Sequence, residues 1–117
     1  MTAKIIQNTA VVASDELIIT DAQSALDFIA TVRYNTGCDA VSINKSAFCD
    51  EFFDLKTGIA GEVMQKFVNY HMRLAVIGDF SGYTSRALGN FIRESNEGSH
   101  IFFVATEQEA IEKLIGV

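Results

Sequence analysis

The sequence predicts an α/β fold, with a single mixed, mostly parallel sheet of four or five strands packed by about four helices. Three observations predict it. Short β-branched or wholly apolar runs alternate with stretches whose apolar residues recur at helical spacing, an order that favours parallel strands joined by right-handed crossovers. Residues 74–77 and 101–105 are continuous apolar runs, the mark of central strands covered on both faces. With 117 residues, 49% hydrophobic and 21% charged, the chain has the size and composition of one globular domain, residues 1–117, that buries an ordinary core.

Taken in order, residues 4–7 and 10–13 read as short strands separated by Asn8 and Thr9, and residues 17–20 as a third after Ser14, Asp15 and Glu16. A helix follows. Thr20 with Gln23 makes a capping-box pattern, Ala22, Ala25, Leu26, Ile29 and Ala30 recur at helical spacing, and Gly37 supplies a stop. Residues 40–43 alternate as a strand. Residues 46–55 are aromatic and acidic without a clean period and read as a loop around one helical turn, with Phe48, Phe52 and Phe53 assigned to the core.

Residues 57–71 form the clearest helix, with Ile59, Ala60, Val63, Met64, Phe67 and Val68 on one stripe and Glu62 and Lys66 four apart on the other face. After the strand at 74–77, residues 84–94 are helical with Ala87, Leu88, Phe91 and Ile92 inward, and Asn96, Glu97 and Gly98 end that helix. Following the strand at 101–105, Thr106 and Glu109 repeat the capping box, and Ala110, Ile111, Leu114 and Ile115 give a last amphipathic helix.

Composition narrows the function. Nine basic against fifteen acidic residues, a net charge of −6 and a pI near 4.7, with no basic cluster, count against nucleic acid as a partner, because phosphate neutralisation by Lys and Arg supplies most of that affinity. No run approaches the ~20 apolar residues of a membrane span, and the N-terminal stretch lacks a secretory layout, so no membrane role and a cytoplasmic location are expected. Cys38 and Cys49 have neither CxxC spacing nor a nearby histidine, and read as reduced, partly buried thiols rather than a zinc site or disulfide framework. Neither a metal nor a cofactor is expected. No Walker loop and no G-x-G-x-x-G occurs.

The segments TVRYNTGCD, FFDLKTGIAGEVMQKFVNY, GDFSGYTSRALGNFIRESN and FFVAT, lying between Thr31 and Leu114, resemble the uncharacterised bacterial family known as domain of unknown function 4180. That resemblance implies no activity. More loosely, FFDLKTGIAGEVMQKF, RLAVIGD and IFFVATEQEAIEKLIG follow the element order of the STAS fold of anti-sigma-factor antagonists and sulfate-transporter tails. In that fold an Asp-Ser-Ser/Thr-Gly turn opens an amphipathic helix, and antagonists of this kind bind a kinase and are switched by phosphate on the turn's hydroxyl. The likeness carries over to Asp54, Thr57 and Gly58 alone. Asp54 precedes Thr57 by three residues here, with Leu55 and Lys56 between them, where the STAS turn has a spacing of two.

Candidate site residues fall in two groups. Thr57, Gly58 and Gly61 open the clearest helix, where free amides and the helix dipole favour an anion or a phosphate, and Glu62, Gln65, Lys66 and Asn69 form its polar face. The structural alternative makes Thr57 an N-cap, Gly58 and Gly61 close-approach residues, and Glu62 and Lys66 a solvated pair. Asp79 and Ser81 follow a buried strand, where open α/β sheets hold ligands, or else cap a turn. His71, His100 and the two cysteines lack the neighbours that catalysis needs, so no catalytic residue is assigned. The reading is a non-enzymatic regulatory module that binds a protein partner or a second copy of itself, switched by phosphate at Thr57. A small enzyme or ligand-binding protein with its site near Asp79 and the Thr57 turn is the alternative.

Overall fold

The computed structural model describes residues 1–116. Its sheet has five strands in the order β1 (Thr2–Ile6), β2 (Thr9–Ala13), β3 (Ala40–Asn44), β4 (Arg73–Ile77) and β5 (Ile101–Val104). β1 and β2 are antiparallel, and every later neighbour pair is parallel. Gln7 and Asn8 close the hairpin with φ of 50° and 63°, the left-handed pair that a two-residue turn between twisted strands requires.

Four helices complete the fold: α1 (Ala22–Thr36), α2 (Ile59–Asn69), α3 (Arg86–Glu97) and α4 (Glu107–Ile115). Because the strands follow in sequential order, crossovers of one hand place α1, α2 and α3 on the same face of the sheet. The cores show this division. Phe28, Ile29, Val63, Phe67 and Leu88 from those helices pack with Val12, Val41, Ile43, Leu74, Val76 and Phe103 of the strands. The intervening strand residues Ala40, Ala75, Phe102 and Val104 face the other way and meet Ala110 and Leu114 of α4. Period-two alternation along β3, β4 and β5 therefore serves two separate cores.

Several expected elements are placed differently. Residues 17–20 are not a sheet strand: the Ile18 and Ile19 amides both donate to the Ala47 carbonyl, at 2.8 and 3.0 Å, and Ile19 makes only an isolated bridge to Phe48. The cap of α1 is Asp21 with Ser24, not Thr20 with Gln23. Asp21 accepts from the Ser24 amide at 2.8 Å while its own amide donates to the Ser24 hydroxyl at 3.0 Å, a reciprocal closure that suits two short side chains. Gly37 does end α1, at φ 70° with its amide on the Arg33 carbonyl. Residues 46–55 make up most of a run of three successive 3₁₀ turns, Lys45–Ala47, Asp50–Phe53 and Leu55–Thr57, with residues 48, 49 and 54 between them, and Phe48, Phe52 and Phe53 are buried as expected. α2 stops at Asn69 because His71 turns left-handed at φ 56°. α3 begins at Arg86 on a Ser85 cap, and Ala87 is exposed.

At the amino ends of the parallel strands, Arg73 ties α4 down. Its guanidinium donates to the carbonyls of Ser99 at 3.0 Å, Lys113 at 3.2 Å and Leu114, and it lies 5.9 Å from the Phe102 ring centroid. A guanidinium satisfies the last carbonyls of a helix that would otherwise lack donors. Among the described residues no helix is long and apolar enough to cross a membrane.

Candidate functional site

The chain between β3 and α2 makes a corner built from the three 3₁₀ turns. Its sequence dictates the shape. Phe48, Phe52 and Phe53 anchor it inward, with Phe52 in edge contact with Phe53 at 4.9 Å between centroids, while Asp54, Lys56, Thr57 and Gly58 remain exposed. Asp54 caps the third turn by accepting from the Lys56 amide at 3.2 Å. The helix cap is Gly58 rather than Thr57: it stands at φ 78°, which other residues adopt only at a cost, and offers no side chain to the helix amides. A Cβ at Gly58 or Gly61 would meet nothing within 4 Å, so neither glycine serves close approach.

Thr57 is exposed, and its hydroxyl is engaged. It donates toward the carbonyls of Glu51 at 2.7 Å and Asp54 at 2.9 Å, and accepts from the Ile59 amide at 3.2 Å. Among the described residues, the next two amides, of Ala60 and Gly61, find no acceptor. The corner is thus an outward-facing helix start whose one hydroxyl holds two turns together.

On α2, Glu62, Gln65 and Asn69 are exposed and Lys66 is half-buried. Gln65 donates to the Asn69 side chain at 2.8 Å. The ion pairs among the described residues are Lys4–Glu107, Arg33–Asp39 and Arg93–Glu97, so Glu62 and Lys66 stand unpaired despite their spacing.

Asp79 and Ser81 bind each other. Asp79 accepts from the Ser81 hydroxyl at 2.6 Å and from its amide at 2.9 Å, and these bonds, with Lys45 nearby adding a smaller part, hold the Asp79 carboxyl below its ordinary value. Both residues are exposed. Next to them, at the carboxyl ends of β3 and β4, lies a groove of about 520 Å³, and neither Asp79 nor Ser81 lines it.

Lys45 lines that groove. Its ammonium sits 4.5, 5.5 and 5.8 Å from the ring centroids of Tyr83, Phe80 and Phe53, and donates to the Asp79 carbonyl at 2.9 Å. Phe53 stacks on Tyr83 at 5.4 Å, so the 3₁₀ turn that receives the Thr57 hydroxyl also forms a wall of the groove. Lys45 escaped the sequence reading because a lysine after a strand carries no periodic or motif signal. Its partners come from two segments, Phe53 in the same connection and residues 79–83 after β4. Asn44 is held in place by Ser14, donating to its carbonyl at 2.8 Å and accepting from its amide at 2.9 Å.

The family model described as a domain of unknown function (DUF4180) matches residues 5–114. The chain belongs to that family. No curated protein matches the chain. Among solved structures, the DUF4180 chain is similar to the anti-sigma factor antagonist SpoIIAA in its unphosphorylated form, at 15% identity and a TM-score of 0.50, covering 99% of this chain and 98% of the other. It also matches the Bacillus cell fate determinant SpoIIAA in the phosphorylated form, at 18% identity and a TM-score of 0.46, covering 97% of each. The first likeness gives this member of the family a STAS-like fold.

Proposed function

We propose that the chain is a non-enzymatic regulatory module that binds a protein partner through the corner at residues 54–61 and the exposed face of α2, with Thr57 as the switch. One observation carries this reading: Thr57 is exposed, and its hydroxyl proton bridges two turns at the start of a helix that has unpaired amides. Phosphorylation would remove that proton and add ~1.5 to 2 negative charges beside two carbonyl oxygens. The phosphate would be pushed off the turns and drawn to the Ala60 and Gly61 amides, remodelling the surface a partner meets. The fold supports the reading, since a relative of the same architecture is by its name an antagonist of an anti-sigma factor. The partner face includes Glu62, Gln65, Lys66 and Asn69, whose side chains make no ion pair among the described residues.

The test is affinity purification of the chain from its own cells, with mass spectrometry of Thr57. A stoichiometric protein partner is expected with the native chain and with Thr57→Ala, lost or exchanged with Thr57→Glu, and accompanied by phosphate on Thr57 in part of the native pool. A chain that comes out alone, or a partner indifferent to Thr57→Glu and to Glu62→Lys with Gln65→Arg, would overturn the proposal.

A further inference from the structure

We infer that the groove around Lys45 is a binding site for a small, flat organic monoanion, an aromatic or conjugated carboxylate, and this does not rest on the reading of Thr57. The groove lies at the carboxyl ends of two central parallel strands, between the loop that follows β3 and the loop that follows β4. Its volume of about 520 Å³ falls in the range of ~300–1,000 Å³ typical of small-molecule sites.

The lining defines the ligand. Phe48, Phe53, Ile77 and Tyr83 form apolar walls, and Leu17, 60% exposed, extends them at the rim. Stacked rings and an aliphatic rim suit a flat apolar body. Lys45 is the one cation among the lining residues, and among the described residues it forms no ion pair. An ammonium has three donors, and the Asp79 carbonyl takes one, which leaves two for a visitor. The aromatic surroundings lower the local dielectric and strengthen any charge pair made there. The Ser46 hydroxyl already accepts from the Asn44 side-chain amide, so its own proton is free to donate to a carboxylate oxygen.

Asp50 sets the limit on charge. It is exposed on the same lining, opposes a second negative charge, and so disfavours phosphates and polyphosphates against a monoanion. Gly78 keeps the cation in position, since any Cβ there would lie 2.6 Å from Lys45 Cβ.

The experiment is an NMR titration of the full chain, labelled with nitrogen-15, using 2-naphthoate, its neutral analogue 2-naphthalenemethanol and inorganic phosphate. Saturable shifts are expected for the amides of Lys45, Ser46, Gly78 and Tyr83 with 2-naphthoate, at least about tenfold tighter than with either other probe. Lys45→Met is expected to weaken naphthoate about tenfold and Leu17→Glu similarly, whereas Asp50→Asn should tighten it by about threefold. Leu17 and Asp50 are exposed, so these two variants decide the matter even if Lys45→Met fails to fold. The inference is overturned if naphthoate does not saturate, if the alcohol binds as well, or if Leu17→Glu and Asp50→Asn leave the affinity unchanged.

Discussion

Two cations lie at opposite ends of the parallel strands, and they are used differently. At the amino ends Arg73 has three carbonyl acceptors and a ring beneath it, and burial lowers its pKa from the ordinary arginine value. At the carboxyl ends Lys45 has three rings and a single carbonyl, and opens onto a groove. A planar fork that reaches three carbonyls of two segments is a structural fastening, whereas a point charge that holds one carbonyl and faces a groove can still accept a ligand. The two ends of the sheet are thus distinguished by how many carbonyls each cation already holds.

The largest expected effect breaks the fastening. Arg73→Ala leaves the last carbonyls of α4 without donors and should cost about 2–4 kcal/mol in urea unfolding, with Arg73→Lys recovering only part because it lacks the fork. A loss below 0.5 kcal/mol would remove the contrast with Lys45, since ~0.5 kcal/mol is the ordinary scale of surface substitutions.

Next is Gly78→Ala at the other end. The new methyl group meets the base of the Lys45 side chain at 2.6 Å, too close to remain, so Lys45 must leave its place over Tyr83. A destabilisation of about 1–3 kcal/mol is expected, together with loss of the ring-current shifts on the Lys45 methylene protons. Unchanged Lys45 shifts would show that the cation is not held as described.

A smaller effect sharpens the comparison between the two sheet faces. On the α4 side, the Ser42 hydroxyl is buried without a partner among the described residues, beside Ala75 in register on β4. Ser42→Ala removes the unpaired group and should leave stability unchanged or raise it by up to ~1 kcal/mol. A clear loss would mean that the hydroxyl has a partner after all.

The smallest effect is confined to acid. Asp79 has a lowered pKa, so its contribution to stability is whole above its unfolded value, near 3.8, and is lost as pH falls through the lower folded value. Native and Asp79→Asn proteins should therefore differ by a constant amount at neutral pH and converge only in strong acid. Convergence already above pH ~5 would contradict the sign of the shift.

The parts of the fold that were legible share a cause. Residues 74–77 of β4 and all of β5 are continuous apolar runs, α2 buries Ala60, Val63, Met64 and Phe67 of its expected stripe although Val68 is exposed, and the Thr106 cap lies beside its helix, so there local pattern and tertiary packing agree. Residues 17–20 misled because two adjacent isoleucines read as a strand, although their amides are taken by one carbonyl of a distant turn. At the candidate site, the exposure of Thr57 follows from the phenylalanines before it, which turn inward. Its hydroxyl bonds depend on 3₁₀ turns that have no hydrophobic period, and Lys45 depends on rings brought together only by the crossover through β4. Glu62 and Lys66 show the opposite failure: their spacing suits an ion pair, yet among the described residues they form none.

Under the proposed function a protein partner meets this chain at the corner and α2 rather than on the α4 side. A photo-crosslinking residue placed at Gln65 in cells, compared with one at Gln108 on α4, tests that placement in a single gel. Position 65 should yield a discrete crosslinked protein that disappears when Thr57→Glu is added, with nothing comparable from position 108. Equal products from both positions, or none from position 65, would contradict it.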